Sequence, residues 1–442
     1  MSQRNLLILL LAGVVSYTCY VRGEQNPYAR HVASGLAAIE QGALEKVPNR
    51  ELFDGAMHGM VGVLRRHGDE HSQYLPEEEA DPLRTEMRQQ FGGIGVRIRL
   101  DGDPPQLIVA GPPDPGTPAD RANLRASDRI LAIDDRPTDG LSLADVLALM
   151  RGEPGSAVHL TIQHQHQEAP RTIELMREII SIESVLGDVR DADGRWQFRL
   201  PDHPEIAHIR IAFFGDRTAE EFDQMIGELV DGGINAAVLD LRDNAGGALD
   251  AAVAVCDLLL PADRTIVETR GRGETLRHRY ATTGAGKYLH LPLAVIVNRN
   301  SASAAEIAAA CLQDHGRATV VGERTYGKGT VQQLVPIANK SLLKLTWASF
   351  WRPSGANIHR MADAPDEGRW GVIPDAGLER RLLQEEYATY RKHRLARDAR
   401  AAAEPTPAAG GNGDEDTGEA FVDLQLMMAV EHLRGTFDRD SP

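Results

Sequence analysis

Cysteine is nearly missing from this chain. Three residues in 442 supply no disulfide framework, so stability must come from a packed apolar core. Cys256 and Cys311 both fall in apolar runs of helical spacing and read as core residues. An excess of positive charge is missing too. Lys and Arg total 48 against 64 Asp and Glu, a net charge of −16, which argues against nucleic acid as a partner. Long apolar runs are lacking as well. The N-terminal run from Leu6 to Val15, weakly extended to Val21, is about sixteen residues, short for a membrane span. Arg4 precedes it, and a charged start with a short apolar core fits a secretory signal. No small-x-small cleavage site follows closely, and Ser16-Tyr17-Thr18 before Cys19 makes a poor lipobox. Residues 1–25 therefore read as a signal peptide or an anchor, with residues 5–21 as the membrane-contacting part. The rest of the chain is expected in the periplasm or otherwise outside the cytoplasm. Ligand clusters at metal spacing are also wanting: His71 has no partners in sequence, and neither metal nor cofactor is expected.

What is present centres on residues 293–332. Leu293 to Val297 is a β-branched apolar run that reads as a buried parallel strand. A polar turn, Asn298 to Ser301, feeds an Ala-rich helix from about Ala302 to Gln313. A short strand, Ala318 to Val321, then leads to a glycine-rich loop carrying Lys328, and a further strand covers Thr330 to Ile337. Ser303 thus stands where a strand end meets a helix N-terminus. By itself, Ser303-Ala-Ala-Glu306 is a helix-capping box. Lys328 changes the balance. It has glycine on both sides, and Gln332 lies four residues on. A serine needs a base, and a lysine serves as one only when neutral. A glutamine carbonyl can hold that amine without adding negative charge.

The same loop, Gly322-Glu-Arg-Thr-Tyr-Gly327-Lys328, is nearly a phosphate-binding loop. It lacks the hydroxyl after the lysine, where Gly329 stands, and it precedes a strand instead of opening a helix. Nucleotide binding is excluded on both counts.

The stretch NSASAAEIAAACLQDHGRATVVGERTYGKGTVQ resembles the signature of the carboxy-terminal processing peptidases, or tail-specific proteases. The resemblance covers most of the chain. It implies a serine–lysine dyad: Ser303 as nucleophile, Lys328 as base and Gln332 as its support. Asp69-Glu-His-Ser72-Gln-Tyr74-Leu-Pro76, Pro353-Ser-Gly355, Gly371-Val-Ile-Pro-Asp375 and a late Asp423-x-Gln425-Leu resemble further elements of that family. So does Leu239-Asp-Leu-Arg242-Asp-Asn-Ala-Gly246-Gly247, with Ala245 where proline is usual. Read locally, this is a strand, glycine turn and helix N-terminus, a natural oxyanion site. The resemblance implies that Gly246 or Gly247, with the Ala304 N–H, stabilises the oxyanion. Asp243 reads as structural.

From Phe91 to about Arg177 the texture changes to short strands punctuated by Gly and Pro. Gly92-Gly93-Ile94, Asp128-Arg-Ile-Leu-Ala-Ile-Asp-Asp135, a helix Ser142 to Met150 and a last strand Ala157 to Gln163 together look like a PDZ domain. Gly92 and Gly93 would turn N–H groups towards a carboxylate, and the strand from Ile94 would pair with an extended peptide. Arg177, at the junction with the core, reads either as a signal of peptide docking to the dyad or as a surface ion pair.

The expected fold is therefore mixed, α+β with α/β, and multidomain. After the N-terminal segment come a helical region (26–90), a PDZ-like β-rich module (91–178) and an α/β peptidase core with βαβ units (179–400). A flexible acidic linker (401–419) and a C-terminal helix (420–442) follow, the helix docking on the core or on a second subunit. In the core, Thr218-Ala-Glu-Glu221 reads as a capping box opening a helix. The expected function is an exported serine endopeptidase that binds C-terminal tails of protein substrates and acts through an acyl-enzyme, as a homo-oligomer or with an adaptor. A silent peptide-binding scaffold and a binder of small apolar ligands are the competing classes.

Overall fold

The computed structural model describes residues 13–14, 16–17, 27–102, 104–111, 113–164, 169–191, 194–338, 340–361, 364–365, 368–398 and 421–440. Most of the expected anchor and all of the expected linker lie outside these residues. Among the described residues, no helix is long and apolar enough to cross a membrane. The chain divides into two units, one running to Ala80 and including Gln332–Thr346, the other holding the remainder.

In the first unit, α1 (Pro27–Gly42) and α2 (Asn49–Arg66) lie within the expected helical region. Met57 and Val61, one turn apart on α2, pack on Tyr74 beside Phe53 and Leu343. A short strand, β1 (Gln73–Leu75), pairs antiparallel with Leu342–Lys344. The Asp69 carboxylate accepts from the backbone of His71 and Ser72, the Ser72 hydroxyl and Thr346 Oγ1. Burial would raise Asp69, but the bonds from Ser72 and Thr346 outweigh it and hold the group below its usual value. The Asp-x-His-Ser segment is thus a structural turn, and His71 contributes its N–H to it.

Helix α3 (Glu77–Arg88) leads into the β-rich module. Its strands are β2 (Gln90–Gly93), β3 (Ile98–Asp101), β4 (Gln106–Val109), β5 (Arg129–Ile133), β6 (Arg136–Pro137), β7 (Ala157–Gln163), β8 (Arg171–Met176) and β9 (Glu178–Ser181), with helices α4 (Pro118–Arg121) and α5 (Leu143–Met150). The main sheet runs β3-β4-β5-β7-β8, with β6 on β5. Alternation in β7 buries Val158, Leu160 and Ile162 beside Ile130, Ile133 and Val146. Two features differ from expectation. The strand anticipated from Ile94 begins only at Ile98, and Ile94 is a core residue whose carbonyl accepts the Ala119 N–H. Two strands follow β7, and β9 returns to pair with β2.

The core sheet has the order β10-β13-β14-β17-β18. Its strands are β10 (Val185–Leu186), β13 (Ile206–Ile211), β14 (Ala236–Asp240), β17 (Leu293–Val297) and β18 (Thr319–Gly322), with the small hairpin β11 (Val189–Arg190) and β12 (Trp196–Gln197) between the first two. All pairs are parallel except β10 with β13. Every residue of β14 and β17 is buried, because helices cover both faces. On one face lie α6 (Thr218–Asp231), α7 (Leu249–Leu259) and α8 (Ala304–Asp314). The hairpin β15 (Thr265–Arg270) and β16 (Leu276–Ala281), whose arginine-rich sequence gave no alternating signal, precedes β17. After β18 come β19 (Thr330–Pro336), β20 (Leu342–Trp351) and α9 (Gln384–Asp398). The second face is covered by α10 (Leu424–Asp440), which lays Ala429, Val430 and Leu433 on Val238, Ile296 and Val321.

The expected capping box on α6 is absent. Arg217 stands at the cap position, Thr218 Oγ1 accepts from Gly215, and Glu221 binds the Ser184 N–H and hydroxyl. Glu221 ties the core's first strand to α6, so its local spacing misled.

Candidate active site

Parallel pairing sets Asp240 opposite Ile296, so the turns leaving β14 and β17 emerge side by side at the C-terminal edge. The first turn holds Gly246 and Gly247, the second Ser303. They are stitched together. Asp243 N–H donates to Asn298 Oδ1, Asn298 and Asn300 donate to Asp243 Oδ1, Ala302 N–H reaches Asn244 O, and the Ser301 hydroxyl reaches Leu241 O. Tyr387 of α9 adds its hydroxyl to Asp243 Oδ1 at 2.6 Å. Asp243 is structural in this arrangement.

Ser303 has φ 55° and ψ −114°, a region non-glycine residues seldom enter and one that costs on the order of 1–3 kcal/mol. The turn holds it at the N-terminus of α8. A Cβ at Gly246 would come within 2.8 Å of Ser303 Cβ and 3.1 Å of Ala304 N, so only glycine lets the two turns approach this closely. The Gly246 N–H is engaged by Asn244 Oδ1 at 2.8 Å, and the Gly246 carbonyl accepts from Phe214.

The buried carboxylate of Glu306 joins this turn to the lysine loop. Oε2 accepts from the Ser303 N–H at 2.9 Å and from the Lys328 N–H at 2.8 Å. Oε1 accepts from the Thr325 hydroxyl at 2.6 Å and from the Gly327 N–H at 2.7 Å. Because two of these bonds end on one oxygen atom, the backbones of Ser303 and Lys328 are neighbours although twenty-five positions apart. Glu306 is fully buried, and burial raises it to about 7 against the pull of its four donors. In the sequence it was read only as half of a capping box. The half that returns to Ser303 N–H is present; the other three bonds come from residues 325–328, which no local pattern reveals.

The glycines beside Lys328 have a definite cause. A Cβ on Gly329 would lie 2.1 Å from His359 N, and one on Gly327 would lie 2.8 Å from Arg360 Cβ. Crowding, more than pliancy, demands glycine there. The Gly371-Val372 turn backs the loop, with Val372 N–H on Thr325 Oγ1 and Thr325 N–H on Val372 O. Gln332 belongs to the first unit, where its amide points to Thr346 Oγ1 at 3.5 Å.

In the module, Gly92 and Gly93 sit within β2, opposite Ile179 and Glu178 of β9. Gly92 packs on Gly152, just past α5. Arg177 is buried and makes four bonds: Nε to Met150 O, Nη2 to Leu149 O, and Nη1 to Ser156 Oγ and Ala157 O. It therefore closes the C-terminal end of α5. Removing it in Arg177→Ala strands several buried carbonyls, each costing about 1–3 kcal/mol. The expected result is a lowered melting midpoint for the module, measured by circular dichroism against the wild type.

Residues 205–376 match the model of peptidase family S41, and residues 109–164 match a PDZ domain. A carboxy-terminal-processing protease of Bartonella bacilliformis is 30% identical over 96% of this chain and 92% of its own length. A carboxyl-terminal-processing protease of Picosynechococcus sp. is 32% identical over 73% of each chain. Among solved structures, a photosystem II D1 C-terminal processing protease is 28% identical over 80% of this chain and 94% of its own, with a TM-score of 0.44.

Proposed function

Because the chain belongs to the carboxy-terminal-processing proteases of peptidase family S41, we propose that it is a serine endopeptidase acting through Ser303 and Lys328 on protein tails held by its PDZ domain. The observation that carries this reading is the Glu306 carboxylate, which binds the Ser303 and Lys328 backbones through one oxygen. In this reading the neutral Lys328 amine takes the Ser303 Oγ proton as Oγ attacks the scissile carbonyl carbon. The oxyanion is met by the Ala304 N–H and by the Gly247 N–H, since the Gly246 N–H is already engaged by Asn244. Collapse expels the amine product, which receives the proton from Lys328 and leaves an ester on Ser303. Water then attacks the ester as Lys328 accepts its proton, collapse expels Ser303 Oγ, which takes that proton back from Lys328, and the carboxylic acid product departs, losing its proton to solvent.

In the PDZ domain, Gly92, Gly93 and Ile94 frame the site for the substrate's terminal carboxylate, and Leu143 and Leu147, exposed on α5, suit an apolar final side chain. The charged start and apolar run before residue 22 support an activity outside the cytoplasm. The test is cleavage of an unfolded peptide with an apolar C-terminus by wild type and by Ser303→Ala. The wild type is expected to cut and the variant not. Equal cutting, or none by either when the tail is bound, removes the peptidase reading and leaves a peptide-binding scaffold.

A further inference from the structure

Arg242 lies two residues past the end of β14, immediately before Asp243–Gly247, and its side chain is wholly buried. It is gripped from two directions. Asp240, the last residue of β14, accepts from Nε at 3.0 Å and from Nη2 at 2.6 Å. From the start of the C-terminal helix, Asp423 accepts from Nη1 at 2.9 Å and from Nη2 at 2.8 Å, a bidentate pairing. Gln425 Oε1 accepts from Nη1 at 3.1 Å, and its amide is fixed by Arg380 O. The Tyr390 ring of α9 lies 4.4 Å from the guanidinium carbon. Asp240 is held in turn by His208, which bonds Asp188 through its other ring nitrogen.

This grip exceeds what docking of α10 requires. The helix already buries Ala429, Val430 and Leu433 against the sheet. A buried ion pair is weak as a source of stability, because desolvation offsets attraction. It is strong as a means of fixing direction, since a planar guanidinium held on two edges has one orientation. The next residue, Asp243, has φ 60°, so the turn leaves the strand in a conformation that non-glycine residues resist. A turn under strain needs a fixed base.

We propose that Asp423 is a positioning residue for the oxyanion turn, locking Arg242 so that the Gly247 N–H faces the reacting carbonyl. This rests on the assignment of Gly247 and Ala304 as oxyanion donors. The C-terminal helix thereby takes part in the chemistry from behind the sheet, and the Asp423-x-Gln425 spacing serves Arg242.

The experiment compares Asp423→Asn, Asp423→Glu and Leu433→Ala in the full chain. Leu433→Ala loosens the same helix without touching Arg242. All are measured for melting, for kcat and KM on a tailed peptide, and for inhibition by a peptide aldehyde, whose adduct has a tetrahedral carbon bearing an oxygen in the oxyanion position. Asp423→Asn is expected to lower kcat about 10–100-fold with KM within about threefold, and to weaken the aldehyde by a matching factor. Asp423→Glu should recover part of the loss. Leu433→Ala should melt lower yet keep kcat below its midpoint. Amide hydrogen exchange of 243–247, read in a Ser303→Ala background, should quicken at least about tenfold with Asp423→Asn alone. That last readout does not depend on catalysis, so it stands even if Ser303 is not the nucleophile. The proposal is overturned if Asp423→Asn keeps kcat within twofold with exchange unchanged, or if Leu433→Ala loses as much of both. Should Asp423→Asn not fold, Gln425→Ala, which removes one bond to Arg242, carries the same comparison with a smaller expected factor.

Discussion

A Lys328→Arg chain is expected to bind a peptide tail like the wild type and to cleave it no faster than Ser303→Ala, a loss of at least about 10²–10⁴-fold. The substitution keeps a long nitrogen-tipped side chain and removes one capacity, since a guanidinium does not give up its proton in a protein. If Lys328 acted by its positive charge, steadying the oxyanion or a substrate carboxylate, arginine would retain most of the rate. If it acts as the base, arginine is as inert as alanine. The loop itself should survive. Its path is set by the Lys328 and Gly327 N–H bonds to Glu306, and by glycines pressed on His359 and Arg360, none of which uses the lysine side chain. The defect should appear in kcat with little change in KM. Substantial residual turnover in Lys328→Arg, above about a tenth of wild type, would sink the general-base assignment.

Much of the scaffold was legible because its signals are local. The unbroken apolar runs Ala236–Leu239 and Leu293–Val297 announce strands buried on both faces, and the offsets of Phe222, Met225 and Ile226 announce one side of α6. Ser303 and Lys328 were marked by motif. The ties among them were not, because they join residues far apart in sequence: Glu306 to residues 325–328, Asp243 to Asn298 and Tyr387, Arg242 to Asp423. A polar residue's partners are settled by which strand ends meet, and sequence spacing does not state that. Thr218 and Glu221 illustrate the reverse error. Their spacing fits a capping box, but Ser184 offers Glu221 a buried N–H and hydroxyl that must otherwise go unmet. Ile94 failed differently, since an apolar residue at the start of a strand and one in a core look alike in sequence.

Glu306→Gln is nearly isosteric, yet it is expected to disable the site as thoroughly as losing the base. Each oxygen of Glu306 accepts two bonds, from Ser303 and Lys328 on one side and from Thr325 and Gly327 on the other. A glutamine has one oxygen and one NH₂ group, so either orientation turns a donor onto one pair of donors. With the NH₂ at the first pair, the Ser303 and Lys328 N–H groups are both stranded. With it at the second, the loop lets go of Gly327 and the Thr325 hydroxyl must rotate. Stranding two buried donors costs about 2–6 kcal/mol, enough to part the serine turn from the lysine loop. A fall in kcat of at least about 10²-fold is expected, since displacements near 1 Å carry penalties of that size. The pH dependence reports a second property of the same group, the balance between its burial and its four donors. Burial leaves Glu306 at about 7 in the folded chain, above its ordinary 4.5. Between those values the folded chain binds the proton more tightly than the unfolded one, so this group's contribution to stability is full below 4.5 and is lost as pH rises through 7. The wild-type midpoint, measured from pH 5 to pH 8, should therefore fall relative to that of Glu306→Gln, which has no proton to lose. Full activity in the variant would show that the carboxylate does not hold the serine and lysine segments together, and parallel curves would show that burial does not outweigh its four donors.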